Sequence, residues 1–135
     1  LEFDELNGWW VFHSAGAPPI LSLNHEGKHK VHFCAGAPLG TQVGFETGRI
    51  EGQFEPSDRI LLYTDGIPEI ASLNGTVFGM RRFAQLYERT RGQSLRDAAG
   101  TIVMHADQLQ QGQPQVDDWT FAIVEWTPGQ GSFSQ

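Results

Sequence analysis

The sequence predicts an α+β fold in which antiparallel sheets carry helices packed on one face. Short apolar runs separated by turns fill the first half of the chain, and helical spacing replaces them between residues 80 and 110. One last strand follows the helices. Strands first, two amphipathic helices next and a returning strand is the order typical of α+β domains. The 135 residues suffice for one domain with a real core.

The first strands are separated by Gly- and Pro-rich turns. Asn7-Gly8 is a strong hairpin signal, and it predicts that residues 1–6 pair with a strand starting at Trp9. Pro18 and Pro19 interrupt the pattern, because each removes a backbone donor. Further strands are predicted over residues 20–24, 30–34 and 49–54.

The continuous apolar run Ile60–Tyr63 has no polar face, which favours a strand buried on both sides, although periodicity alone leaves a buried helix segment open. A turn at 56–58 precedes the run and Asp65-Gly66 ends it abruptly. A carboxylate at the point where a buried strand leaves the core is costly unless it is paired or bound to a cation. Asp65 is therefore the first candidate for chemistry.

Two helices are predicted after residue 79. Met80, Phe83, Ala84 and Tyr87 fall at helical spacing, and Arg91-Gly92 closes this first helix. Ser94 with Asp97 resembles a capping box, and a long apolar face then continues to about residue 109. A strand over 119–126 follows, and the Gly/Ser/Gln-rich tail, residues 128–135, is predicted to be flexible.

Charge and composition exclude several classes of function. A formal net charge of −7 argues against nucleic acid as a partner, since binding to phosphate backbones needs clustered Lys and Arg. No stretch approaches the ~20 apolar residues of a membrane span, so no membrane partner is expected. The single cysteine, Cys34, allows no intramolecular disulfide and suits a reducing compartment. The expected location is cytoplasmic.

Acidic turns flank two of the predicted strands. Asp65 follows the buried strand, and Asp117-Asp118 precedes the last one. If these strands are antiparallel neighbours, the two corners lie at the same edge of the sheet. Converging carboxylates stay ionised only around a cation, and oxygen ligands favour magnesium, manganese or calcium over zinc. The alternative, an ordinary turn and a solvated strand start, stays open on spacing alone.

Ordered blocks along the chain carry a resemblance to a known family. The blocks are Ser14-Ala15-Gly16-Ala17-Pro18-Pro19, Gly36-Ala37-Pro38-Leu39-Gly40, residues 58–69 with Tyr63-Thr64-Asp65-Gly66, Asn74-Gly75 with Phe78-Gly79, and Val116-Asp117-Asp118-Trp119-Thr120. Together they resemble the carboxy-terminal part of the PPM-type metal-dependent serine/threonine phosphatases, in the branch similar to stage II sporulation protein E (SpoIIE). The resemblance implies a phosphatase domain over residues 1–127, forming part of an α/β/β/α sandwich without its first strands.

The resemblance also implies a chemistry. Asp65 and Asp117 correspond to ligands of a dinuclear Mn²⁺ or Mg²⁺ centre, with Asp118 as a further candidate and Thr64 and Gly66 beside the metal ligands. Two ions would activate a water that attacks a phosphoester. The implied substrate is phosphoserine or phosphothreonine on a bacterial regulatory protein, such as an anti-sigma-factor antagonist.

Two departures from the family pattern set further expectations. Ala17 stands where the family has histidine, and an earlier Asp-Gly block that bridges both metals has no counterpart after Leu1. The chain is therefore expected to be weakly active or inactive alone. The alternative function is a catalytically inactive regulatory or protein-interaction module. Because missing strands would uncover apolar sheet surface, a homodimer or other self-association is expected.

Rival sites have simpler explanations. His25, His29, His32 and Cys34 could suggest zinc, but surface histidines are the preferred interpretation. The four tryptophans are interpreted as core or cross-strand residues rather than as a binding platform.

Overall fold

A computed structural model of the chain describes residues 1–41 and 47–129. The described residues form seven strands and two helices: β1 (Glu2–Phe3), β2 (Trp9–Ser14), β3 (Ile20–Leu23), β4 (His29–His32), β5 (Gly48–Gln53), β6 (Arg59–Tyr63), α1 (Met80–Arg89), α2 (Leu95–Gln110) and β7 (Phe121–Glu125). Each predicted element is present, with ends shifted by a few residues. The end of the predicted tail, residues 130–135, lies outside the described residues.

The strands divide into two antiparallel sheets. The first sheet has the order β1-β2-β5 and the second has the order β4-β3-β6-β7. The hairpin predicted at Asn7-Gly8 is confirmed, because Phe3 pairs with Trp10 across the turn. Gly8 has a φ of 73°, a backbone conformation that glycine adopts without the steric cost of a side chain.

Strand β6 is buried on both sides, as its apolar run predicts. Leu61 and Tyr63 face the core between the second sheet and the helices. Ile60 and Leu62 face a separate core between the two sheets, where Trp10 also lies. The described residues therefore form three layers: the first sheet, the second sheet and the helix layer.

Both helices pack on the second sheet. Helix α1 contacts β3 and β4, whereas α2 contacts β7. The Ser94 cap is confirmed, since its hydroxyl accepts a hydrogen bond from the Asp97 N–H at 3.1 Å. Neither helix in the described part of the chain is long and apolar enough to cross a membrane.

A buried ion pair joins the second sheet to the loop after α1. Arg59 on β6 is 4% exposed and pairs with Glu125 on β7. Its guanidinium also donates to the carbonyl oxygen of Gln93 at 2.8 Å. The pair therefore fixes β6 and β7 at the end of these strands that lies away from Asp65 and Asp118.

The outer face of the first sheet has no helix on it among the described residues. This face mixes apolar and charged groups: Trp9 is 40% exposed, and Val11 stands between Glu2 and Glu51. This face is less apolar than the uncovered sheet surface from which self-association was expected. The homodimer stays a prediction.

The interpretation of the histidines as surface residues is wrong for His32. Its Nε2 atom shares a hydrogen bond with the Ser22 hydroxyl at 2.8 Å. The ring also lies edge-on to Trp10, with ring centroids 5.5 Å apart. The reason is that one face of β4 lies opposite the first sheet. Burial, together with the nearby Lys30 charge, lowers the pKa of His32. His29, on the other face of β4, pairs with Glu88 of α1.

Candidate metal centre

Two acidic corners, Asp65 after β6 and Asp117-Asp118 before β7, lie side by side at one edge of the second sheet. Strands β6 and β7 are antiparallel neighbours, and Tyr63, the last residue of β6, pairs with Phe121, the first of β7. The Thr64 N–H continues this pairing by donating to the Thr120 carbonyl oxygen at 2.9 Å. The chain then continues to Asp65 from one strand and arrives from Asp118 on the other.

The Thr64 side chain links the two acidic corners by hydrogen bonds. Its hydroxyl donates to the carbonyl oxygen of Asp118 at 3.0 Å and accepts from the Thr120 N–H at 3.2 Å. A threonine at this position therefore holds the segment that carries both late aspartates. Each of these contacts links residues that are far apart in sequence.

Gly66 allows the closest approach at this edge. A Cβ built on Gly66 would lie 2.4 Å from the carbonyl oxygen of Asp118 and 3.2 Å from Cδ1 of Trp119. Real Cβ atoms essentially never come so close to backbone. The residue after Asp65 is therefore glycine because the backbone before β7 passes directly over it.

The three candidate carboxylates are exposed, and one is locally oriented. The Asp118 N–H donates to Oδ1 of Asp117 at 2.7 Å, and the Gln115 side chain donates to the Asp117 carbonyl oxygen at 2.8 Å. Within the described ranges, none of Asp65, Asp117 and Asp118 is in a salt bridge. Their oxygens therefore keep lone pairs for a cation.

The Gly- and Pro-rich loops lie at the same edge. Because β3 runs antiparallel to β6, the loop that leads into Ile20 is at the end where β6 finishes. Glycines let this loop pack on the one after β4: a Cβ on Gly16 would lie 2.7 Å from Cγ of Pro38, and one on Gly36 would lie 2.1 Å from the Ser14 carbonyl oxygen. Two of the blocks that carry the family resemblance, residues 14–19 and 36–40, thus contact each other.

The described residues do not complete a metal site by themselves. In residues 1–41 and 47–129 there is no group of three or more His, Cys, Asp or Glu side chains that could hold an ion. A hard divalent cation takes six or more oxygen ligands, of which water can supply several. The corners can therefore supply part of a coordination sphere.

Sequence reasoning missed a cavity beside the corners. It measures about 220 Å³ and is lined by Gly66, Ile70, Gln110, Asp117 and Trp119, among others. Trp119 was assigned to a strand, and nothing in the local pattern indicated that it would contact Gly66. Nearby, Tyr63 donates its hydroxyl to Sδ of Met80 at 2.9 Å, and burial raises the pKa of Tyr63, which keeps it neutral.

Two antiparallel sheets with helices on one of them match part of the PP2C-type fold. The sequence model of the stage II sporulation protein E (SpoIIE) family matches residues 1–127. The chain belongs to this family. No curated protein sequence matches it.

Solved structures agree with the fold. The SiaA-PP2C domain of Pseudomonas aeruginosa has a TM-score of 0.77 at 24% identity, with 88% of this chain and 47% of that chain covered. The RsbU and RsbW domains of Rv1364c from Mycobacterium tuberculosis have a TM-score of 0.74 at 24% identity, with 93% and 36% covered. The phosphatase domain of SpoIIE from Bacillus subtilis, presoaked with Mn, has a TM-score of 0.72 at 15% identity, with 93% and 54% covered. The chain thus spans about half or less of these structures.

Proposed function

We propose that this chain supplies part of the metal centre of a protein serine/threonine phosphatase. Asp65 and Asp117 act as ligands of Mn²⁺ or Mg²⁺, with Asp118 as a further ligand. The observation that carries the proposal is the contact of Gly66 with the Asp118 backbone, which brings the two acidic corners together. Oxygen donors at this edge suit a hard divalent ion better than zinc.

The residues around the proposed metal centre have different roles. Thr64 holds the segment before β7 that carries Asp117 and Asp118, and the Asp118 N–H orients the Asp117 carboxylate. A bound pair of divalent ions would supply an activated water and neutralise charge on the phosphoryl oxygens. The substrate we propose is phosphoserine or phosphothreonine on a bacterial regulatory protein, such as an anti-sigma-factor antagonist.

Metal binding tests the ligand assignment directly. Because Mn²⁺ is paramagnetic, it should broaden the NMR amide signals of residues near 65 and 117–120 before those elsewhere. Asp65→Asn and Asp117→Asn should remove this selective broadening. The matched control is Asp107→Asn, which changes an exposed carboxylate on α2 and should leave the broadening unchanged. Broadening centred on another part of the chain would contradict the assignment.

Catalysis requires a separate measurement. With an incomplete donor set in the described residues, hydrolysis of p-nitrophenyl phosphate in Mn²⁺ should be weak or absent for this chain alone. Rates like those of an intact phosphatase would refute this expectation.

A second function is favoured because the described residues hold no complete group of metal-binding side chains. The chain could serve as a phosphatase-like regulatory or interaction module that binds a partner without hydrolysis. Calorimetric titration with Mn²⁺ separates the two: tight binding of two ions supports the enzyme, and no binding supports the module.

A further inference from the structure

Helix α1 carries positive charge on an otherwise acidic protein. The chain has a formal net charge of −7, yet Arg81, Arg82 and Arg89 all lie exposed on this one helix. The acidic residue of α1, Glu88, is paired with His29 of β4. The outward charge of the helix is therefore positive.

Two of these arginines line a groove between α1 and α2. This α1–α2 groove has a volume of about 250 Å³ and is lined by Phe78, Arg82, Gln85, Leu86, Arg89 and His105. Arg82 and Arg89 are two helical turns apart, so their Cα atoms are about 10 Å apart on the same side of α1. His105 faces them from α2, with its ring centroid 5.4 Å from that of Phe78.

The two groove arginines differ from others in the chain. Arg49 pairs with Glu51, Arg59 pairs with Glu125, and Arg91 donates to the His25 carbonyl oxygen. In the part of the chain that the structure describes, Arg82 and Arg89 have neither a salt bridge nor a hydrogen bond of this kind. Their donors are thus available to a ligand.

We propose that the α1–α2 groove binds an acidic segment of a partner protein. Guanidinium groups bind carboxylates through two parallel hydrogen bonds, and two of them about 10 Å apart can hold two separate acidic side chains. Phe78 and Leu86, which are 7% and 6% exposed, form an apolar floor for a side chain between the acidic ones. A nucleic acid is disfavoured because its long phosphate backbone would meet the acidic remainder of the surface.

This groove shares no residue with the acidic corners, so the proposal stands independently of the metal centre. Positive charge on one helix of a negative protein would also orient an acidic partner before contact. The binding free energy is expected to depend on salt, since exposed ion pairs are screened.

The test uses a fluorescein-labelled peptide with glutamates around a central leucine, and a matched peptide with glutamines in their place. Binding is measured by fluorescence anisotropy, and its position by NMR shifts of residues 78–89 and of His105. The variant Arg82→Glu/Arg89→Glu reverses both groove charges. The control Arg81→Glu/Arg96→Glu makes the same change in net charge, with one substitution on α1 and one on α2, both outside the groove lining.

The acidic peptide should bind and the glutamine peptide should not. The groove double variant should weaken binding by about tenfold or more, as expected for two charge-assisted contacts, and the control by less than about twofold. Arg82→Gln/Arg89→Gln should give an intermediate loss, and circular dichroism checks that each variant is folded. Equal losses in groove and control variants, or equally tight binding of a single-stranded DNA 12-mer, would overturn the proposal.

Discussion

Replacing Gly66 by alanine should push the two acidic corners apart. The new Cβ would lie 2.4 Å from the Asp118 carbonyl oxygen, so this oxygen must move by about 1 Å to reach ordinary contact distance. That movement stretches the Thr64 hydroxyl bond to the same oxygen, now 3.0 Å, beyond hydrogen-bonding range. Overpacking costs about 1–3 kcal/mol and the lost bond about 1 kcal/mol, so the free energy of unfolding should fall by about 2–4 kcal/mol.

Urea and thermal unfolding measure this loss, which corresponds to a Tm lower by about 10 °C for a domain of this size. The control is Gly100→Ala, at an exposed position of α2 where a Cβ would meet nothing within 4 Å. It should stabilise the protein by up to about 1 kcal/mol, because alanine is the better helix former. An unfolding free energy for Gly66→Ala within about 0.5 kcal/mol of the unsubstituted protein would refute the steric reasoning.

Two further predictions concern buried charge. The lowered pKa of His32 means that the unfolded state takes up the proton first, so stability should fall as the pH drops below about 6.5. His32→Asn should remove this component when unfolding in urea is compared at about pH 5.5 and 7.5, and an unchanged pH dependence would show that His32 is not its source. Glu125→Gln takes the charge partner from buried Arg59 and should cost about 3 kcal/mol in urea unfolding. Breaking the exposed Lys28–Glu26 pair by Glu26→Gln should cost less than about 0.5 kcal/mol, and equal losses would contradict the role of burial.

Local sequence signals were sufficient to predict β6 and its acidic end. A continuous apolar run between turns favours a strand with two buried faces, and Asp65-Gly66 marks its end. Neighbouring antiparallel strands would bring this end close to Asp118, and β6 and β7 are such neighbours. The Ser94 cap was equally local, because it depends on residues three positions apart.

Longer-range features could not be predicted from the pattern of residues. Alternation shows that a strand has two faces, but it does not identify what each face meets. His32 was therefore assigned to the surface, although its face of β4 meets Trp10 of the first sheet. Only the family resemblance predicted the division into two sheets. The pairing of β2 with β5 skips β3 and β4, which lie between them in the sequence and belong to the other sheet.

The position of the acidic edge is set by the cores rather than by the carboxylates themselves. Leu61 and Tyr63 fill the core under the helices, while Ile60 fills the core between the sheets. A shift of β6 by one residue would exchange these faces and bury the wrong side chains in both cores. Since Asp65 is exposed and lies two residues after the end of this strand, its backbone position is fixed whether or not its side chain is charged. The Asp65→Asn variant therefore measures metal binding separately from folding.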